Sequence, residues 1–196
     1  MSPLKKLLIA IVFAFSSAAA IAPVASAQGT VVIAFDDARI LIESKAGKDL
    51  QTKLTNIETQ MNNELNPTRT SLQNDAKTLD TKLNGKTREQ VAADTTLVNE
   101  LKAYQTKAND FANKNARYAQ EYSLTERAAL IEFNKAVEPV LLEVIREKNA
   151  QLVVKKSDVV FSADTIDVTS SMIAKLDAKS PTLNVVRQRI PEKPAQ

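Results

Sequence analysis

The 196-residue chain has no cysteine, no histidine and no tryptophan, and only three glycines. Each absence removes a class of function. Without cysteine there is no disulfide, no thiolate nucleophile and no lipid-bearing cysteine after a leader. Without histidine, the commonest general base at neutral pH and the commonest zinc ligand are both missing. Gly29, Gly47 and Gly85 stand far apart, so there is no glycine-rich loop to cradle a nucleoside triphosphate. The Asp36-Asp37 pair could serve paired-carboxylate chemistry, but adjacent side chains diverge and a helix cap accounts for them. An Asp/Glu hydrolase would need a cleft-forming domain, and the sequence offers none. No catalytic, cofactor-binding or metal-binding residue is assigned; the expectation is a protein that is not an enzyme and uses no cofactor.

What is present begins at the N-terminus. Lys5 and Lys6 precede an apolar run from Leu7 to Ala20, and Ala25-Ser26-Ala27 is a small-x-small site. This predicts a secretory signal, residues 1–27, cleaved after Ala27. The apolar run falls short of the roughly 20 residues that a spanning helix takes. Removing the leader takes away two lysines and lowers the net charge from +3 to +1. A charge that small asks for no nucleic acid.

Hydrophobic spacing organises the remainder. Val31–Phe35 is β-branched and too short for a helix, and it reads as a strand. Asp36 or Asp37 then caps a short helix to Glu43. Ser44 caps the next helix, whose apolar residues run Leu50, Leu54, Ile57, Met61, Leu65, Leu72, Ala76, Leu79 and Leu83 in steps of three and four. Asn84-Gly85-Lys86 reads as a turn, and Thr87 with Gln90 forms a capping box for a returning helix. That helix carries Leu97, Leu101, Tyr104, Ala108, Phe111, Asn115, Tyr118 and Tyr122, then Ala129, Phe133, Ala136, Val140 and Val144. The aromatic row reads as packing in the hairpin seam, with Asn115 as a register device. Residues 44–149 are therefore an antiparallel helical hairpin, turning near 84–87, with arms of roughly 60 Å. Pro67 is expected to kink the outgoing arm as a hinge, and Pro139 to interrupt the returning one.

After Asn149 the period changes. Residues 151–154 and 159–161 read as two strands, and Asp167 or Thr169 caps a last helix with Met172, Ile173 and Leu176. Pro181, Pro191 and Pro194 break up a tail, 180–196, expected to be disordered. Residues 28–43 and 150–179 remain for a body, and only about 44 of them are structured, which is too few to fold alone without staples. The body is expected to form by association, its shared core built from Val31, Ile33, Phe35, Leu152, Val153, Val154, Val160 and Phe161. The arms carry twelve basic and thirteen acidic residues between 50 and 145, so they are almost charge-balanced.

These segments together resemble the Skp/OmpH family of periplasmic chaperones. The likeness lies in "VVIAFDDARILIESKAGKDL" at 31–50 and "NAQLVVKKSDVVFSADTIDVTSSMIAKL" at 149–176, with arms that match in length and pattern. The resemblance implies an α+β fold: a small β-rich oligomerisation body with a long helical hairpin as tentacle, assembled as a jellyfish-like homotrimer. It implies a periplasmic holdase that binds unfolded outer-membrane β-barrel proteins without ATP and prevents their aggregation. The tip cations Lys82, Lys86 and Arg88 are offset by Asp75, Asp80, Glu89 and Asp94, so any membrane or lipopolysaccharide contact there would be weak. The rival reading is a structural coiled-coil tether of the envelope. The kinked hairpin and the family-like body at both chain ends favour the chaperone.

Overall fold

The computed structural model describes residues 29–191; the predicted leader, its cleavage site after Ala27 and the last five residues lie outside them. The chain runs β1 (Val32–Phe35), α1 (Asp37–Glu43), α2 (Lys45–Leu83), α3 (Arg88–Ala93), α4 (Thr95–Lys148), β2 (Leu152–Lys155) and α5 (Thr169–Lys179). The architecture is α+β. A two-stranded parallel sheet pairs Val32 with Leu152 through to Phe35 with Lys155, and both long helices rise from it. Val168 donates to the Ala34 carbonyl (2.9 Å) on the other edge of β1. Among the described residues no helix is long and apolar enough to cross a membrane.

Local chemistry explains the joints. Asp36 caps α1, its carboxylate accepting from the Arg39 amide at 2.9 Å. Ser44 ends α1 and begins α2: its amide donates to Ile40, and its hydroxyl accepts from the Gly47 amide at 3.1 Å. The capping box at Thr87 and Gln90 is present, but it starts only the six-residue α3. Asp94 then caps the long helix, accepting from the Leu97 amide at 3.1 Å. The tip is therefore a short extra helix between two turns, with Gly85 supplying the positive φ of 76°. Asn149 closes α4 in the left-handed region, as asparagine tolerates at a helix end.

Several expectations are corrected. Pro139 does not interrupt the returning arm; α4 continues through it to Lys148. A proline removes one helical hydrogen bond, and the buried Val140 and Val144 beyond it keep the helix on the core. Pro67 stands inside α2, which a kink does not require to break. The strand at 159–161 is not formed within the protomer. Lys156–Asp158 makes a 3₁₀ turn directly after β2, and among the described residues 159–161 join no strand. Asn115 is exposed, because the seam passes through Lys114 and Tyr118 on either side of it. The tail is ordered to residue 191, where Leu183 is buried. Helix α5 begins at Thr169, whose amide donates to Asp167 at 2.8 Å.

The core also differs from the expected one. It holds Ile33, Phe35 and Ile40 from the body, Leu50, Leu54, Phe133, Val140 and Val144 from the arms, and Met172 and Leu176 from α5. The base of the hairpin thus supplies apolar surface that the short body lacks, so the protomer has an interior of its own. Farther out the seam thins to a small cluster of Met61, Leu65 and Tyr118, with Ile57, Phe111 and Tyr122 packed around it. Beyond that the seam mixes polar and apolar contacts: Lys107 reaches Ser71 (2.5 Å) and Asp75 (2.7 Å) across it, and Leu79 and Leu97 are buried near the tip.

Gly47 is fixed by this packing. A Cβ there would stand 1.7 Å from the Leu41 carbonyl oxygen, which is backbone and cannot swing aside. Gly47→Ala is expected to lower the unfolding free energy by about 3 kcal/mol or more, measured by urea denaturation. An unchanged midpoint would mean that α1 and α2 do not meet this closely.

Candidate functional site

The described residues hold no group of three or more metal-binding side chains. The surfaces that could act are the outer face of the body, the hairpin arms, and a clasp formed where the tail crosses them.

On the body, the predicted association residues divide into two sets. Ile33 and Phe35 are buried, and Val153 packs beside them, all inside the protomer's own core. Val154 is half-buried. Val31, Leu152, Val160 and Phe161 are exposed, the last two at 107% and 84%. Among the described residues β2 pairs with β1 alone, so its outer edge is open beside these apolar side chains. The segment that bears Val160 and Phe161 is anchored at both ends: Lys155 pairs with Asp37 (3.0 Å) and Lys156 with Asp167 (2.9 Å). Burial alone would raise the Asp167 carboxyl. Hydrogen bonds from the Thr169 hydroxyl (2.5 Å), the Lys156 ammonium and the Thr169 amide outweigh it and hold the group at about 2.

On the arms, Pro67 is exposed midway along α2, and the tip cations are exposed as well. Lys82 is paired with Glu100 (2.6 Å) and Lys86 with Asp94 (2.9 Å), both from the returning side of the tip. These bonds tie the tip together and spend two of its three candidate cations locally.

The clasp was not foreseen. Arg187 is inserted between the arms, donating to Glu64 on α2 (3.0 and 3.1 Å) and to Glu121 on α4 (2.7 and 2.9 Å). Its guanidinium lies 4.4 Å from the Tyr118 ring centroid, and the Tyr118 hydroxyl donates to Glu64. Glu121 is only 2% exposed. The Tyr118 hydroxyl, ahead of Arg187, holds Glu64 below the usual carboxylate range. Burial would lower the Arg187 pKa, but Tyr118, Glu121 and Glu64 together raise it. Two signals in the sequence point here: polar Glu121 and Thr125 continue the seam spacing from Tyr118, and the tail alternates from Leu183 to Arg187.

A profile of the OmpH-like outer membrane protein family matches residues 31–176. A solved structure of an OmpH-like outer membrane chaperone from Caulobacter crescentus CB15 is similar in fold, with a TM-score of 0.71 and 27% identity. That match covers 82% of this chain and 92% of the other. No curated protein is matched.

The Asp167 anchor makes a pH prediction. Its folded pKa of about 2 lies below the ordinary 3.8, so its contribution is complete above the ordinary value and is lost as pH falls through the folded one. Asp167→Asn keeps an acceptor for Thr169 but removes the charge. The melting temperature of the parent should exceed that of the variant at neutral pH, and the gap should close between about pH 4 and about pH 2. A gap independent of pH would show that the charge does not matter.

Proposed function

The chain belongs to the OmpH-like outer membrane protein family, and from that premise we propose that it is an ATP-independent periplasmic holdase for unfolded outer-membrane β-barrel proteins. The observation that carries this reading is the hairpin itself. α2 and α4 have 39 and 54 residues, roughly 58 and 81 Å of helix. Such an arm has a thin seam and long polar faces, and the depressions along it are open to solvent. Unfolded barrel proteins present strands that alternate apolar and polar side chains and aggregate before they reach lipid. Enclosing them requires reach and many weak contacts rather than a tight site. The reading assigns no catalysis and no cofactor.

A single hairpin encloses nothing, so the reading includes self-association as a homotrimer through the body. The open edge of β2 and the exposed Val160 and Phe161 support it, since an unpaired strand edge beside apolar side chains invites pairing with another chain. Export after cleavage at Ala27 would bring this assembly to its clients. Pro67 serves as the joint of the arm: the missing N–H removes one helical bond, and the seam beyond it is half polar. Because the tip lysines are paired, contact with lipopolysaccharide or membrane contributes weakly, and client binding should weaken only modestly with added salt.

Two substitutions separate the two sets of body residues. Ile33→Asp places an unpaired charge in the protomer's own core, which costs several kcal/mol and should unfold it. Phe161→Asp should leave the helical circular dichroism intact and reduce the sedimenting mass to one protomer. An associated Phe161→Asp variant would remove this face from the interface.

The function is tested by diluting a urea-unfolded barrel protein into buffer with the oligomer in molar excess and no nucleotide. Light scattering should stay low. Scattering as strong as in buffer alone would overturn the holdase reading and favour the structural tether.

A further inference from the structure

Residues 181–191 lie extended in the groove on one side of the hairpin, running from the body toward the tip. Leu183, Val185 and Arg187 turn inward, while Asn184, Val186 and Gln188 are exposed. Four of the polar contacts in this groove read main chain. Asp49 accepts from the Leu183 amide (2.8 Å), Lys53 donates to the Leu183 carbonyl (2.5 Å), and Thr125 accepts from the Gln188 amide (2.9 Å). Glu121 accepts from the Ile190 amide at 3.1 Å. Any extended peptide offers the same groups. One side chain is read specifically: Arg187, by two carboxylates from opposite arms and the face of Tyr118. Arg117 stays near Glu121 (3.7 Å) when this point is emptied, but Glu64 and the almost fully buried Glu121 then lose the cation they share, so the groove favours a guanidinium.

The groove continues beyond the contacts of the described tail residues. Lys114 and Lys107 precede Glu121 by one and two heptads, and Thr68 follows Glu64 by one helical turn, which keeps all three on the side where the tail lies. There they line an open depression of about 480 Å³ with Asp110 and Phe111.

We propose that this groove is a binding site for an extended segment of an unfolded protein, and that tail residues 181–191 are its resident occupant. The segment it favours carries apolar side chains at alternate positions followed by an arginine, the pattern Leu183, Val185, Arg187. That the displacing chain is an unfolded barrel client rests on the holdase reading; its alternating strands match the pattern. Tethering gives the tail a millimolar effective concentration, so a modest intrinsic affinity keeps the groove closed until a client competes.

The absence of cysteine makes the test direct. In the full chain, spin labels at Val186→Cys on the exposed face of the tail and Gln60→Cys, exposed on α2 one turn before Glu64 and one heptad after Lys53, report one short distance while the tail is seated. A synthetic peptide of residues 181–191, added in excess, should lengthen that distance, and the same peptide with Arg187→Gln should bind about tenfold more weakly or worse. The full chain carrying Arg187→Gln, with Leu183 and Val185 retained in place, should bind the unaltered peptide about tenfold more tightly than the parent does. Urea-unfolded barrel protein should displace the tail as the peptide does. If the client is kept from aggregating while the label distance stays short, the groove is not its site and the proposal falls with the holdase reading intact. Peptide binding that ignores the arginine, or no binding to the Arg187→Gln chain, overturns the groove itself. Displacement by the peptide alone, with the client still aggregating, upholds the groove and overturns the holdase reading.

Discussion

The parallel pairing of Val32–Phe35 with Leu152–Lys155 is the constraint from which the rest of the protein follows. The partners are 120 positions apart and yet lie side by side. A parallel pair cannot be closed by a tight turn; the chain between must leave the sheet and come back. Here it leaves as α2 and returns as α4, so the crossover of this small sheet is the arm itself. Asp167 and Val168 then close on the free edge of β1 and bring α5 to the same place. Both ends of the hairpin and the C-terminal helix are thereby gathered over one interior.

That gathering divides the molecule by stability. Apolar burial is concentrated at the root, where α5 is also held by Lys175 to Glu143 (2.8 Å) and Glu147 (2.6 Å). Outward, the seam becomes a minor apolar cluster and then the lone buried Leu79 and Leu97 among ion pairs, each pair worth little in water. A rod made this way is firm at its base and progressively easier to bend and open toward its tip. This suits a surface that must follow the shape of an unfolded chain. Up to residue 191 the tail reinforces the inner part of one side, held to Asp49, Glu64, Glu121 and Thr125.

Much of this was legible in the residues because it rests on local rules. The three-and-four spacing from Leu50 to Val144, the Ser44 junction, the Gly85 turn and the caps at Asp36 and Thr87 each follow from neighbours within a few positions. What was missed depends on contacts remote in sequence. Counting the short body apart from the arms concealed that Leu50, Phe133 and Val140 lend it a core. Val159–Phe161 has the composition of a strand, but composition cannot say whether a partner strand exists in the same chain. The prolines at 181 and 191 suggested a loose tail, whereas the carboxylates that seat Arg187 lie 66 and 123 positions away. Pro139 was read by its local penalty alone, and the core beneath the next turns overrides it.

The central claim is that the arms, rooted on a folded body, are the surface that holds an unfolded chain. Hydrogen exchange of the assembled protein, with and without a saturating unfolded barrel protein, tests it most directly. The account predicts slowed exchange along α2 and α4 outside the root, with β1 and β2 unchanged because they are protected already. Slowing confined to β2 and residues 159–161, with the arms exchanging as before, would contradict it.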